Sequence, residues 1–125
     1  VSTQEQTLDS VFEDKYVYVD WGTKFASEHA ERHPKIPAPY LRTSTARIAM
    51  DFILEKGGSA YLPYRMIESE LDTNLFLVKD APVISRQIYA CHHKDTLYLK
   101  KIEAVLELIR ADNTLIDTPE PSINI

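Results

Sequence analysis

Tyr16-Val17-Tyr18-Val19-Asp20-Trp21 runs into Gly22-Thr23, and Tyr40-Leu41-Arg42 runs into Thr43-Ser44-Thr45. Both stretches follow one local pattern. A short strand-like run stops at glycine or hydroxyl residues, and helical periodicity begins. A third strand, Ser59-Ala60-Tyr61-Leu62, follows Gly57-Gly58 and ends at Pro63. Strands alternating with helices at this spacing predict an α/β fold, a mostly parallel sheet with right-handed crossovers and helices on both faces. The nearly unbroken apolar and aromatic character of Tyr16 to Trp21 fits a strand covered on both sides. In such sheets ligands bind outside the carboxyl ends of the strands, where helices open.

Working outward, Phe25, Ala26, His29, Ala30 and His33 share one side of a first helix, with Thr23 as its N-cap and Pro34 as its stop. Pro34, Pro37 and Pro39 make an extended loop into the second strand. A second helix from Ser44 to Lys56 presents Ala46, Ala49, Met50 and Ile53, flanked by Ile48 and Phe52, and closes at Gly57 in a left-handed conformation. Pro63 suits the first turn of a short helix carrying Met66, Ile67 and Leu71. Further strands are predicted over Leu75–Val78 and Arg86–Cys91. Asp95 or Thr96 caps a last helix with the face Ile102, Val105, Leu106 and Ile109. The element order is β-α-β-α-β-α-β-β-α. Residues 1–15 read as a connector with a short helical turn, anchored by Leu8, Val11 and Phe12. The tail 113–125 contains Pro119 and Pro121, has little to bury and is expected to be mobile.

The 125 residues suffice for one domain with a real core. Apolar residues at 44% and charged residues at 26% are ordinary for a globular chain. The net charge is −5, with no basic stripe, which argues against gripping a nucleic-acid backbone directly. No apolar run approaches the roughly 20 residues of a membrane span, and the first residues are polar, so neither membrane nor export is expected. Cys91 is the single cysteine. It has no disulfide partner within the chain and is expected to pack as a small apolar residue in Ile88-Tyr89-Ala90-Cys91; a reducing, cytoplasmic setting fits.

Taken together, Tyr16-Val17-Tyr18-Val19-Asp20-Trp21-Gly22, then Gly57-Gly58-Ser59-Ala60-Tyr61-Leu62-Pro63, then Arg86-Gln87-Ile88-Tyr89-Ala90 and a final amphipathic helix resemble the effector-binding domain of LysR-type transcriptional regulators. The resemblance covers roughly Leu8 to Arg110. It implies half of a type 2 periplasmic-binding-protein-like domain: residues 16–82 as the second effector subdomain, and 83–112 as a crossover strand and helix belonging to a first subdomain whose remainder is absent. It implies a small, anionic effector, a homo-oligomer (dimer or tetramer), and DNA contact only through an N-terminal helix-turn-helix that this chain lacks. Neither enzyme activity nor a cofactor is expected of this chain. The face of Ile102, Val105, Leu106 and Ile109 would lack its usual cover, and is expected to dock on the second subdomain or on another copy.

The candidate ligand-binding residues are Trp21, Gly22, Thr23, Ser44, Thr45, Arg47 and Tyr61. Thr23, Ser44 and Thr45 stand at helix starts, where free N–H groups and the positive helix end favour an anion. They serve equally as plain caps. Arg47, in a first turn, opposes the helix dipole and hints at an anionic ligand; a solvated or acid-paired arginine is the plainer reading. Arg42 is a weaker case of the same kind, and Asp20 is a possible polar contact at that edge. Trp21 and Tyr61 near strand ends either line a pocket or pack the core. His29 and His33 are four residues apart, a spacing that binds zinc only with further ligands, and none is evident. They are expected on a half-exposed helix face. His92 and His93 point to opposite faces of a strand end and do not chelate together. No nucleophile elbow or phosphate-binding loop is present, so covalent chemistry in a small α/β enzyme is the weakest reading. A transport-type solute-binding module is the stronger alternative.

Overall fold

The computed structural model describes residues 1–86 and 89–113. The chain divides into two compact units, Val1–Ser85 and Arg86–Ile125. The first contains β1 (Tyr16–Val19), α1 (Thr23–Arg32), β2 (Leu41–Thr43), α2 (Ala46–Lys56), β3 (Ser59–Ala60) and α3 (Tyr64–Ile67), followed by a 3-10 turn at Glu68–Glu70. The second contains α4 (Leu99–Asn113). The protein is therefore α/β, with a three-stranded parallel sheet in the order β2-β1-β3. Val17 pairs with Leu41 on one side and Ala60 on the other, and Val19 with Thr43.

Strand β1 sits in the middle, and its side chains alternate between two cores. Val17 and Val19 join Ala49 and Ile53 of α2, Ala60, Ile67 and Leu75 in one buried cluster. Tyr16 joins Val11 and Phe12 in another, with Tyr18, Leu8, Ile36, Tyr61 and Val78 at its margin. The connection from β1 leads out to β2, and the connection from β2 crosses back over β1 to β3. Right-handed crossovers in opposite directions put their helices on opposite faces. The burial pattern agrees: α2 covers the valine side, and Phe25, His29 and His33 cover the tyrosine side. Ala26 and Ala30, expected on that covered side, are exposed, because the contact is a narrow stripe of large rings. On α2, Ala49, Met50 and Ile53 are buried, Ala46 and Phe52 half-buried, and Ile48 exposed.

The first fifteen residues extend this sheet. Ser2 bridges antiparallel to both Ser59 and Phe76, and Thr7 bridges to Lys79. Ser2 donates to and accepts from the Phe76 backbone at 2.9 and 2.7 Å, while the Ala60 N–H donates to Val1 O at 3.0 Å. Gly58, at φ +124°, lets this edge close: a Cβ there would lie 2.3 Å from the Lys15 carbonyl oxygen. Only glycine tolerates both the angle and the approach.

Several expected elements differ. No strand forms over Leu75–Val78. Leu75 and Phe76 make isolated bridges, to Leu71 and Ser2, and Leu77 is exposed. The sheet position beside β3 is taken by Val1, Ser2 and Thr3, and on the far side of that segment only Ser2 pairs with Phe76, too little backbone to organise a longer ladder. The predicted strand Arg86–Cys91 is likewise not formed at Arg86 or at Tyr89, Ala90 and Cys91; Gln87 and Ile88 lie outside the described residues. Backbone groups of a strand need a paired neighbour, and these described residues have no ladder. Cys91, expected to pack, is exposed for the same reason. Helix α4 starts at Leu99; ahead of it, Thr96 Oγ1 accepts the Tyr98 N–H at 3.3 Å, and Asp95 has no such role. On the expected apolar face of α4, Ile102 and Leu106 are half-buried, while Val105 and Ile109 are exposed. The tail expected to be mobile lies, from residue 114, outside the described residues. No helix of the described residues is long and apolar enough to cross a membrane.

Candidate functional site

Because β1 and β2 are neighbours and parallel, the openings of α1 and α2 fall at the same end of the sheet. Asp20 N–H donates to Thr43 O at 2.8 Å, which ties the two strand ends together. Gly22, Thr23, Ser44 and Thr45 are exposed on this rim. Gly22 occupies the N-cap of α1 at φ 93°, so Thr23 is the first helical residue and not the cap. Thr45 is the N-cap of α2. Neither helix has a side-chain cap hydrogen bond or an acidic residue in its first turn. A carboxylate and a hydroxyl bind one step ahead of the helices instead: Asp20 Oδ1 accepts the Gly22 N–H at 2.9 Å, and Thr43 Oγ1 accepts the Thr45 N–H at 3.1 Å. These are local turns that aim the chain into each helix.

Arg47 is not directed at the rim. Its Nε donates to both carboxylate oxygens of Asp51, one turn along α2, at 2.9 and 3.1 Å. Arg42 lies over the Tyr18 ring at 4.6 Å, a cation–π contact on the tyrosine side of the sheet.

The structure brings Trp21 and Tyr61 together. Trp21 Nε1–H donates to the Tyr61 carbonyl at 3.0 Å. Trp21 follows β1 and Tyr61 follows β3. In the order β2-β1-β3 the chain leaves β1 toward one side and reaches β3 on the other, so the carboxyl ends of β1 and β3 flank the topological switch point. The indole bridges that point. A groove of about 670 Å³ between Glu5, Ser10, Tyr64 and Phe76, and a cavity of about 20 Å³ among Leu8, Val11, Phe12 and Tyr16, are not lined by Trp21, Thr23 or Ser44.

A second constellation escaped sequence reasoning. His29 and His33, expected half-exposed, are 5% and 7% exposed. Tyr16 Oη and His29 Nε2 are hydrogen-bonded at 2.7 Å, and His33 Nε2 and Tyr61 Oη at 2.9 Å. Phe12 packs on His33 with centroids 4.6 Å apart, and the two imidazoles stand 5.2 Å apart. Burial, then the neighbouring His33 and Arg42, push His29 down to about 4. Burial and Arg32 lower His33. Burial, then the nearby Tyr61 and Tyr18 hydroxyls, raises Tyr16. Both histidines are thus neutral at ordinary pH and act as hydrogen-bonding aromatic groups. The legible signal was only the pair of histidines at i and i+4 on one helix face; their partners, Tyr16 and Tyr61, lie far apart in sequence, and no local period links them. Among the described residues no group of three His, Cys, Asp or Glu side chains is placed to hold a metal. His92 and His93 are exposed, and their ring nitrogens bond backbone groups of the same loop. Comparison with protein-family models, curated proteins and solved structures gives no match.

Proposed function

We propose that this chain senses a small anionic metabolite as the C-terminal part of the effector-binding domain of a LysR-type transcriptional regulator. The observation that carries the reading is the pair of uncapped helix openings, at Gly22-Thr23 and Ser44-Thr45, on one rim beside the switch point. Each presents orphan N–H donors and the positive end of a helix dipole, and together they favour a carboxylate. The two openings are not equivalent. Asp20 keeps a carboxylate beside α1, whereas the turn before α2 is closed by the neutral hydroxyl of Thr43. The anion therefore belongs nearer α2, against Ser44, Thr45 and the first-turn N–H groups. Arg47 contributes only if it leaves Asp51.

In this reading, residues 16–82 form one wall of a cleft in half of a type 2 periplasmic-binding-protein-like domain, and a facing subdomain supplies the other. That accounts for a rim without a deep pocket of its own. The protein would be a cytoplasmic, non-catalytic homo-oligomer, its DNA contact belonging to a helix-turn-helix outside this chain. An effector shifts such a regulator only by binding one subdomain arrangement better than another. The test is a backbone amide NMR titration with small mono- and dicarboxylates. Shifts concentrated at Ser44–Ile48, smaller at Gly22–Lys24, and abolished in Ser44→Asp, are the expected result. Shifts confined to other surfaces, or none at any concentration, refute the site.

A further inference from the structure

Tyr61 joins two systems that the sheet otherwise keeps apart. Its ring lies on the tyrosine side, hydrogen-bonded through Oη to His33 Nε2 at 2.9 Å, with its centroid 5.6 Å from Phe25 and 5.8 Å from His29. Its carbonyl serves the other system. That oxygen accepts the indole N–H of Trp21, which packs against the valine-side cluster containing Val17, Val19 and Ile53. His33 is the C-cap of α1, and Trp21 immediately precedes the Gly22 that opens it. Both ends of α1 are therefore tied to one residue, the end distant from the rim by the Tyr61 side chain and the rim end by its backbone.

We propose that Tyr61 is a positioning residue that holds the Trp21 indole across the crevice between β1 and β3, its own backbone fixed by the bond to His33. As a device for sensing, this rests on the rim being the ligand site; as a mechanical link, it stands alone. The carbonyl of an ordinary loop residue wanders with the loop. Here the ring is clamped among Phe25, His29 and His33, so the acceptor for the indole is fixed before any ligand arrives, and a displacement of α1 registers at Trp21.

Trp21 is the single tryptophan of the chain, so its fluorescence reports the link without ambiguity. Acrylamide quenching and emission maximum are compared, without ligand, for the wild type, Tyr61→Phe, His33→Gln and Phe12→Leu, with far-UV circular dichroism confirming each fold. Tyr61→Phe keeps the ring and removes the hydroxyl. It is expected to raise the solvent-exposed indole population about fivefold, the factor that one hydrogen bond of ordinary net strength sets. His33→Gln, which preserves a hydrogen-bonding side chain, is expected to fall between Tyr61→Phe and the wild type. Phe12→Leu disturbs the same cluster without touching Tyr61 Oη, and is expected to leave Trp21 unchanged. Quenching unaltered in Tyr61→Phe, or raised equally in Phe12→Leu, overturns the assignment. Neither outcome bears on the carboxylate titration, so the link and the site fail separately.

Discussion

His29 gives the protein a specific sensitivity to acid. It is 5% exposed, bonded to Tyr16 Oη and ringed by Phe12, Tyr16, Tyr18, Phe25, His33 and Tyr61. The charged groups acting on it are cations or potential cations, Arg42 and His33, so an imidazolium there meets burial and repulsion together. The folded value of about 4 lies below the ordinary 6.5. Below pH 6.5 the unfolded chain takes a proton that the folded chain refuses, so stability falls as pH falls and levels off only below about 4. Each pH unit in that window is worth about 1.4 kcal/mol, so moving from pH 7.5 to 5.0 removes roughly 2 kcal/mol on account of this side chain. Urea unfolding at the two pH values measures it; with an m-value of about 1–2 kcal/mol per molar, the midpoint drops by roughly 1 M or more. His29→Gln supplies the reference. It keeps a polar partner for Tyr16 but cannot titrate, so the difference between the two proteins reports His29 together with its coupling to His33. An identical acid loss in His29→Gln and the wild type refutes the reasoning.

Other substitutions test the packing and the rim. Gly58→Ala places a methyl group against the Lys15 carbonyl at a positive φ, and is expected to cost more than about 2 kcal/mol in a thermal or urea melt, whereas Gly22→Ala, also at positive φ but with nothing within 4 Å, costs about 1 kcal/mol. Ile53→Ala empties a fully buried position between α2 and β1, and is expected to cost about 2–5 kcal/mol by the same measurement. Breaking the exposed Arg47–Asp51 pair with Arg47→Ala changes stability by less than about 0.5 kcal/mol; a larger loss means that the arginine does more than pair along its helix.

The two-sided character of β1 explains why one short strand organises most of the first unit. Its odd-numbered valines are small enough for α2 to lie close, and its even-numbered tyrosines carry hydroxyls that must find partners when covered. Tyr16 finds His29 at 2.7 Å, and Tyr61, from the next strand, finds His33. Among the described residues no buried side-chain nitrogen or oxygen lacks a partner. A pair of polar aromatic contacts therefore replaces the purely apolar packing that the valine side uses. The exchange orients α1 through hydrogen bonds, at the cost of the acid sensitivity above.

Periodicity alone determined the α/β class, the parallel β1, β2 and β3, the two helices between them and the shared rim at Gly22-Thr23 and Ser44-Thr45. Those features follow from short-range rules: alternation at two residues, recurrence near 3.6, and breakers at Gly22, Gly57 and Pro34. Tertiary structure decided what those rules do not reach. Val1, Ser2 and Thr3, far from Ser59 and Phe76 in sequence, took the sheet position that was needed to make a strand of Leu75–Val78. The burial of His29 and His33 depended on Tyr16 and Tyr61 arriving from two different strands. Arg47 turned to Asp51, and Trp21 met the Tyr61 carbonyl only because β1 and β3 lie side by side. In each case the partner is brought by the fold, and side chains settle on the nearest group that satisfies their hydrogen bonds.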